Sequence, residues 1–146
     1  MENQERALKL FIVLSRASKV ILEETNKLID QYKLNPTEFG VLELLYHRGQ
    51  QPIQKIGQKI LLQSGSMTYV VNKLEEKELL ARNFCEKDKR VTYIQITDKG
   101  THLVESIFPT HAKKIEELMA GLSIDEQEQA IELIKKLGLS VKDLSK

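Results

Sequence analysis

The sequence predicts a mainly α-helical protein with one small β-hairpin near its centre. Long stretches without Pro or Gly carry apolar residues at helical spacing, whereas β-forming residues cluster in only two short stretches. The composition agrees, because Leu, Ile, Glu and Lys dominate it. With 146 residues, 41% of them hydrophobic, the chain is large enough to bury a core.

The first predicted helix covers residues 5–32, a stretch without Pro or Gly. Residues 10–14 are all apolar, so apolar side chains point in nearly every direction around this part of the helix. Such a helix needs cover on more than one side, and a second copy of the chain would provide it. Asn35 and Pro36 then predict the cap and first turn of a second helix, which ends before Gly49.

Two shorter helices joined by a tight turn are predicted next. The first covers Ile53 to about Leu61, and its Gly57 predicts a close crossing with another helix. The second covers Ser64 to about Leu79, which makes the pair a helix-turn-helix. The apolar residues that can pack on the first helix are Met67, Val70, Val71 and Leu74. The polar residues then left to face outward are Ser66, Thr68, Tyr69, Asn72, Lys73 and Glu76.

Residues 80–85 and 91–97 predict a two-stranded hairpin around a charged tip at residues 86–90. Thr97 is expected to cap a further helix that runs to about Met119, with a bend at Pro109. A Ser-x-x-Glu capping box at residues 123–126 opens the last helix, and the tail 138–146 is short and mixed in character. Helix, turn, helix and cationic hairpin in this order are typical of a winged helix-turn-helix that binds DNA.

Net charge and composition say less about function than the order of the predicted elements does. The net charge is only +1, and residues 53–100 hold nine Lys and Arg against six Asp and Glu, a small excess that a scatter of surface charge would also give. Cys85 is the single cysteine, which excludes a disulfide within the chain. The first residues lack a signal-peptide pattern and no apolar stretch could span a bilayer, so we expect a cytoplasmic protein without membrane contact.

The sequence offers little for catalysis. It contains no Gly-rich phosphate loop, no nucleophile elbow and no recognisable pair of catalytic carboxylates. His47, His102 and His111 are not spaced as metal ligands. We therefore expect a protein that is not an enzyme and binds no cofactor or metal.

Two segments resemble the multiple-antibiotic-resistance regulator (MarR) family of bacterial transcription factors. Residues 64–75, Ser-Gly-Ser-Met-Thr-Tyr-Val-Val-Asn-Lys-Leu-Glu, are similar to the family's recognition helix. Asp-Lys-Arg at 88–90 and Ile-Thr-Asp-Lys-Gly at 96–100 are similar to its wing. The chain departs from the family at Glu78, where Gly is frequent, and this concerns the turn after the recognition helix.

The resemblance implies a homodimer that binds a pseudo-palindromic DNA operator, most commonly as a repressor. Residues 35–100 would form the winged lobe, and residues 1–34 and 101–146 would form the interlocking dimerisation helices. Asn72 would lie near base edges, while Arg90, held by Asp88, would enter the minor groove or contact the backbone at the wing. The full set of expected DNA contacts is Ser64, Ser66, Thr68, Tyr69, Asn72, Lys73, Arg82, Lys87, Asp88, Lys89 and Arg90.

The resemblance also implies a releasing signal, either a small phenolic or quinone ligand in the crevice between dimer arm and winged lobe, or oxidation of a cysteine. Cys85 has two interpretations: a small residue that fills a strand position, or a redox-sensing thiol near Arg82 and Lys87. A different class of function stays open as well, a helical dimeric adaptor whose basic hairpin binds an acidic protein partner without DNA.

Overall fold

The computed structural model describes residues 2–60, 66–88 and 90–144 of the chain. Within these residues it contains six helices and three strands, so the mainly helical fold class with a small β element is confirmed. The helices are α1 (Glu2–Asp30), α2 (Pro36–Arg48), α3 (Ile53–Lys59), α4 (Ser66–Glu76), α5 (Asp98–Met119) and α6 (Ile124–Leu144). The strands are β1 (Gln51–Pro52), β2 (Leu80–Phe84) and β3 (Thr92–Ile96).

The corner between α1 and α2 forms as the sequence predicts. The Asn35 side chain accepts a hydrogen bond from the Glu38 backbone N–H at 2.7 Å, and the Glu38 carboxylate accepts from the Asn35 N–H at 3.0 Å. These two bonds are a capping box, and Pro36 occupies the first turn where its missing N–H costs nothing. At the other end of α2, Gly49 adopts φ of 76° and donates its N–H to the carbonyl of Leu45.

The sheet is larger than the predicted hairpin, because a third strand joins it. β2 and β3 form the expected antiparallel hairpin, with Arg82 opposite Ile94. β1 pairs with the other edge of β3, which gives the strand order β1-β3-β2. β1 has only two residues, one of them proline, so neither alternation nor β propensity could reveal it. β1 lies between α2 and α3, so its pairing with β3 attaches this part of the chain to the wing.

The core lies between α2, α3, α4, the sheet and the first half of α5. The apolar face predicted for α4 is confirmed, since Val71 and Leu74 are fully buried and Met67 and Val70 nearly so. α1 contributes little, and Thr25 and Ile29 near its end are its only buried residues. The side chains buried to 1% exposure or less are Val41, Leu42, Leu45, Ile56, Val71, Leu74, Ile94, Val104 and Ile107.

One of the two glycines that matter was misjudged from the sequence. A Cβ added at Gly57 would have no atom within 4 Å, so the predicted close helix crossing there is wrong. The close approach occurs at Gly100 instead, where a Cβ would overlap the carbonyl oxygen of Leu79 and lie 2.7 Å from the Ile96 side chain. Gly100 therefore lets the start of α5 pack directly on the backbone where β2 begins.

The chain divides into two compact units, residues 1–111 and residues 112–146. The second unit holds the end of α5 and all of α6, joined by a turn in which Ser123 and Glu126 form the predicted capping box with bonds of 2.9 and 3.2 Å. α6 continues to Leu144, so most of the mixed tail is helical. Its apolar residues recur at helical spacing beyond Gly138, a pattern that the composition of the tail hides.

Candidate nucleic-acid interface

The outer face of α4 is polar and open to solvent. Its inner face is held by the core, which leaves Thr68, Tyr69, Asn72 and Lys73 exposed on the opposite side. The Lys73 ammonium lies 5.5 Å from the centroid of the Tyr69 ring and 3.8 Å from the Glu76 carboxylate. The face thus presents two hydroxyl groups, an amide and a cation on a helix, groups that can hydrogen-bond base edges and phosphates in a major groove.

Arg82 projects from β2 onto this face of α4. Its guanidinium donates to the Glu75 carboxylate at 3.1 Å and to the Asn72 amide oxygen at 2.5 Å. The Arg82 side chain is 27% exposed, so the hairpin holds it against the helix. Arg82 and Asn72 were each expected from the sequence to contact DNA. Glu75 was missed, although its spacing of three residues places it beside Asn72.

The tip of the wing carries the predicted Asp88 and Arg90 pair. The Asp88 carboxylate accepts from the Arg90 Nε at 3.1 Å and from the Arg90 backbone N–H at 3.0 Å. The bond from the Arg90 side chain, and after it the bond from the Arg90 backbone, lower the pKa of the Asp88 carboxyl below its usual value. The Arg90 side chain is nevertheless 90% exposed, so its cationic edge is free to meet another molecule.

The turn after α4 fixes the hairpin relative to that helix. Glu78 adopts φ of 64°, and the N–H of Leu79 donates to the carbonyl of Leu74 at 3.0 Å, a common helix ending. The Thr97 hydroxyl donates to the Glu78 carbonyl at 2.7 Å and accepts from the Gly100 N–H at 3.0 Å. Thr97 therefore caps α5 as predicted and ties the end of the wing to the end of α4.

The remaining predicted contacts fall in different places. Lys87 is exposed at the wing tip beside Asp88, and Cys85 is half-buried where β2 ends, with its N–H donating to the carbonyl of Val91 at 3.2 Å. Ser64 and Lys89 lie outside the described residues, and for Ser66 only its place as the first residue of α4 is described. Phe84, which the sequence analysis did not select, is 72% exposed at the end of β2.

A second feature of the same unit is an open cavity of about 490 Å³ between α2 and α3. His47 contributes one wall, and its ring centroid lies 5.1 Å from that of Tyr46 and 5.5 Å from that of Phe108 in α5. The lining combines the imidazole of His47 and apolar groups with two cations, Arg48 and Lys59, and one carboxylate, Glu43. The lining residues are Gly40, Glu43, Leu44, His47, Arg48, Lys59 and Ile60.

In residues 2–60, 66–88 and 90–144, no three His, Cys, Asp or Glu side chains come together as a metal site would require. No helix in the same ranges combines the length and the apolar character needed to cross a membrane.

Comparison with known proteins identifies the family. The sequence model of the MarR family matches residues 34–92, from the end of the α1–α2 corner to the start of β3. The HTH-type transcriptional regulator MhqR of Bacillus subtilis is 57% identical over 138 residues, which cover 94% of this chain and 95% of that protein.

Solved structures show the same fold at lower identity. Sco3205, a MarR family regulator from Streptomyces coelicolor solved in complex with DNA, superposes with a TM-score of 0.82 at 15% identity over 94% of this chain and 87% of its own. BpsR of Bordetella bronchiseptica, whose DNA binding is regulated by 6-hydroxynicotinic acid, gives 0.81 at 22% identity over 89% and 98%. This chain is therefore a DNA-binding transcription regulator of the MarR family.

Proposed function

We propose that this chain represses transcription by binding a pseudo-palindromic operator as a homodimer, and that a small phenolic or quinone compound releases it. The observation that carries the proposal is the polar face of α4 beside a wing whose tip exposes a cation. A helix of this width and polarity fits the major groove, and a cationic tip beside it reaches the backbone or the minor groove.

In this proposal some residues contact the DNA phosphates and others contact the base edges. Thr68 and Tyr69 offer hydroxyl groups to phosphates, and Asn72 offers its amide to base edges. Lys73 and Lys87 are exposed cations that suit phosphate contacts. Arg90 stands at the tip, and its bonds to Asp88 hold the guanidinium in one orientation while leaving its outer edge exposed.

The Arg90 contact can be tested by substitution. Arg90→Ala should weaken operator binding about tenfold, because one cationic contact is lost from the interface. The thermal unfolding midpoint should stay close to that of the wild type, since an exposed ion pair adds little stability. Fluorescence anisotropy at fixed salt measures the first quantity and circular dichroism the second.

The control is Lys99→Ala, which removes another exposed cation with an ion-pair partner, Glu78, outside the set of residues expected to contact DNA. It should leave operator affinity unchanged. Equal affinities of wild type and Arg90→Ala would remove Arg90 from the interface. A wild type that binds duplex DNA without salt dependence, or not at all, would favour the acidic-protein adaptor.

The dimer in this proposal uses residues 1–34 and 101–146. In α1, apolar side chains such as Leu8, Phe11 and Val13 are more than half exposed. In α6, Ile131 and Leu133 are about two-thirds exposed, and none of the residues of this helix is buried. Exposed apolar helices of this length are unusual in a monomer, and a second copy of the chain offers the matching apolar surface.

The effector would occupy the cavity between α2 and α3 of the winged lobe, next to α5, because His47 of its lining contacts Phe108. Its volume of about 490 Å³ lies in the range of small-molecule sites. Leu44 and Ile60 suit the faces of an aromatic ring, and Arg48 and Lys59 suit a phenolate or carboxylate oxygen. 6-Hydroxynicotinic acid, which regulates BpsR, is an aromatic acid of this chemical kind.

The cavity can be tested with 4-hydroxybenzoate and 1,4-benzoquinone as probes that release the bound operator. Arg48→Met should raise the 4-hydroxybenzoate concentration needed for half-release about tenfold, because one ionic contact to the carboxylate is lost. Lys55→Met is the control, since Lys55 is an exposed cation of α3 that does not line the cavity. An unchanged release concentration in Arg48→Met would place the effector elsewhere.

Cys85 offers a second route of release, by oxidants or electrophiles. Its half-buried place at the end of β2 means that an adduct would displace the wing tip relative to α4. Arg82 is occupied by Glu75 and Asn72, whereas Lys87, two residues after Cys85, is exposed. Release by 1,4-benzoquinone that persists in Cys85→Ser would remove the thiol from the mechanism.

A further inference from the structure

We infer that Arg82 sets the base preference of Asn72, so that the recognition helix reads guanine where an unrestrained asparagine would read adenine. The inference rests on the proposed function, because it requires the outer face of α4 to lie in the major groove. It adds to that function a chemical rule for one position of each half-site.

The first step concerns the orientation of the Asn72 amide. A guanidinium group carries five N–H donors and no acceptor, so any hydrogen bond between Arg82 and Asn72 must use the amide oxygen. That bond is short, 2.5 Å from the Arg82 Nη2 to the Asn72 Oδ1. The amide NH2 group consequently points away from Arg82.

The second step concerns the rigidity of this arrangement. Arg82 extends from β2, where it pairs with Ile94 in the register of the sheet. Its other terminal nitrogen donates to the Glu75 carboxylate at 3.1 Å, and the side chain is only 27% exposed. Glu75 and β2 therefore hold the guanidinium at two points, and turning the Asn72 amide over would face NH2 donors towards NH donors.

The third step is the match to base edges. An asparagine that is free to use both its oxygen and its NH2 group pairs with adenine N6 and N7. Here the oxygen already faces a cation, which disfavours the approach of the adenine amino group. Guanine presents two acceptors, O6 and N7, in the major groove, and these suit the outward NH2 group and the positive charge beside it.

Arg82 is on this account a positioning residue that acts through Asn72. The test selects bound sequences from random duplexes with five full-length proteins: wild type, Asn72→Ala, Arg82→Met, the double variant and Lys99→Met. The half-site position that loses its preference in Asn72→Ala is the one that Asn72 reads. Lys99→Met is the control for loss of an exposed cation of the lobe, and it should leave every base preference in place.

We expect guanine at that position for the wild type and a shift towards adenine for Arg82→Met. In direct titrations the ratio of affinities for guanine and adenine sites should fall about fivefold or more. In the double variant, Arg82→Met should change nothing at this position beyond the effect of Asn72→Ala. A merely structural role of Arg82 would instead lower affinity for all sites without changing the preference.

A second measurement uses the unmodified protein and stays decisive if Arg82→Met fails to fold. Replacing the selected guanine by 7-deazaguanine removes the N7 acceptor and should weaken wild-type binding about fivefold, but should not affect Asn72→Ala. Adenine at the position in the wild type, or binding that ignores 7-deazaguanine, would overturn the inference. Failure of the wild type to select any two-fold related site would overturn the proposed function itself.

Discussion

Glu78 ends the recognition helix in a backbone conformation that suits glycine. Its φ of 64° lies in the left-handed region, where the Cβ of an ordinary residue is crowded. The conformation is required because the N–H groups of Glu78 and Leu79 turn back to the carbonyls of Glu75 and Leu74. The frequent Gly of the family at this position therefore has a physical reason, and this chain reaches the same turn with a strained residue.

Glu78→Gly should raise the free energy of unfolding by about 0.5–1 kcal/mol, because glycine adopts this conformation without a Cβ penalty. The lost contact to Lys99, at 3.8 Å between exposed groups, offsets little of that gain. Chemical denaturation of both proteins measures the difference. The matched control is Glu76→Gly at the last residue of α4, which should lower stability by a similar amount, because glycine adds backbone entropy to the unfolded chain. The exposed contact of Glu76 to Lys73, at 3.8 Å, adds little to this difference. A loss of stability in both variants would show that the turn is not strained.

Two arginines of the wing show what a sequence can and cannot reveal about single residues. The bond between Asp88 and Arg90 joins residues two apart, so the pair was predictable from the sequence alone. Arg82 meets Asn72 and Glu75 across ten and seven positions, through the packing of β2 on α4. Local pattern recognises the first kind of contact, whereas the second depends on the register and twist of the hairpin.

The end of α4 is connected to the α1–α2 corner through Lys77. Its ammonium donates to the Glu38 carboxylate at 2.9 Å and to the Lys33 carbonyl at 3.2 Å. The Glu38 side chain is 7% exposed and also serves the capping box with Asn35. Since a buried carboxylate needs its partner, this ion pair fixes the end of α4 against the corner between α1 and α2. This contact joins the end of α4, the proposed DNA-reading helix, to Lys33 in the proposed dimer arm.

The elements that the sequence predicted are those with a long apolar period or a distinctive cap. α2 and α5 begin at capping residues, Asn35 and Thr97, whose bonds the structure contains. β1 was missed because two residues carry no period, and its strand character exists only through pairing with β3. The close helix crossing predicted at Gly57 was wrong because close packing is only one of several reasons for a glycine within a helix.

At the scale of the whole molecule, burial is uneven along the chain. α2 has five buried residues among thirteen, whereas α6 has none among twenty-one although apolar residues recur along it. A helix with no buried residues gains little stability within a single chain, because apolar side chains stabilise the folded state only when they are removed from water. The surface of α6 is therefore of the kind that the proposed dimer would bury.

Ile134→Glu, a substitution near the middle of α6, should break that interface. Ile134 is 53% exposed within a single chain, so the charge costs little there but much once a second copy covers it. Light scattering after size exclusion should give about twice 16.8 kDa for the wild type and 16.8 kDa for the variant at micromolar concentration. Operator affinity should fall about a hundredfold or more, because two recognition helices joined roughly 34 Å apart bind both half-sites together.

Gln129→Glu adds the same charge at an exposed polar position of α6 and should remain dimeric. A dimeric Ile134→Glu protein would exclude this face of α6 from the interface.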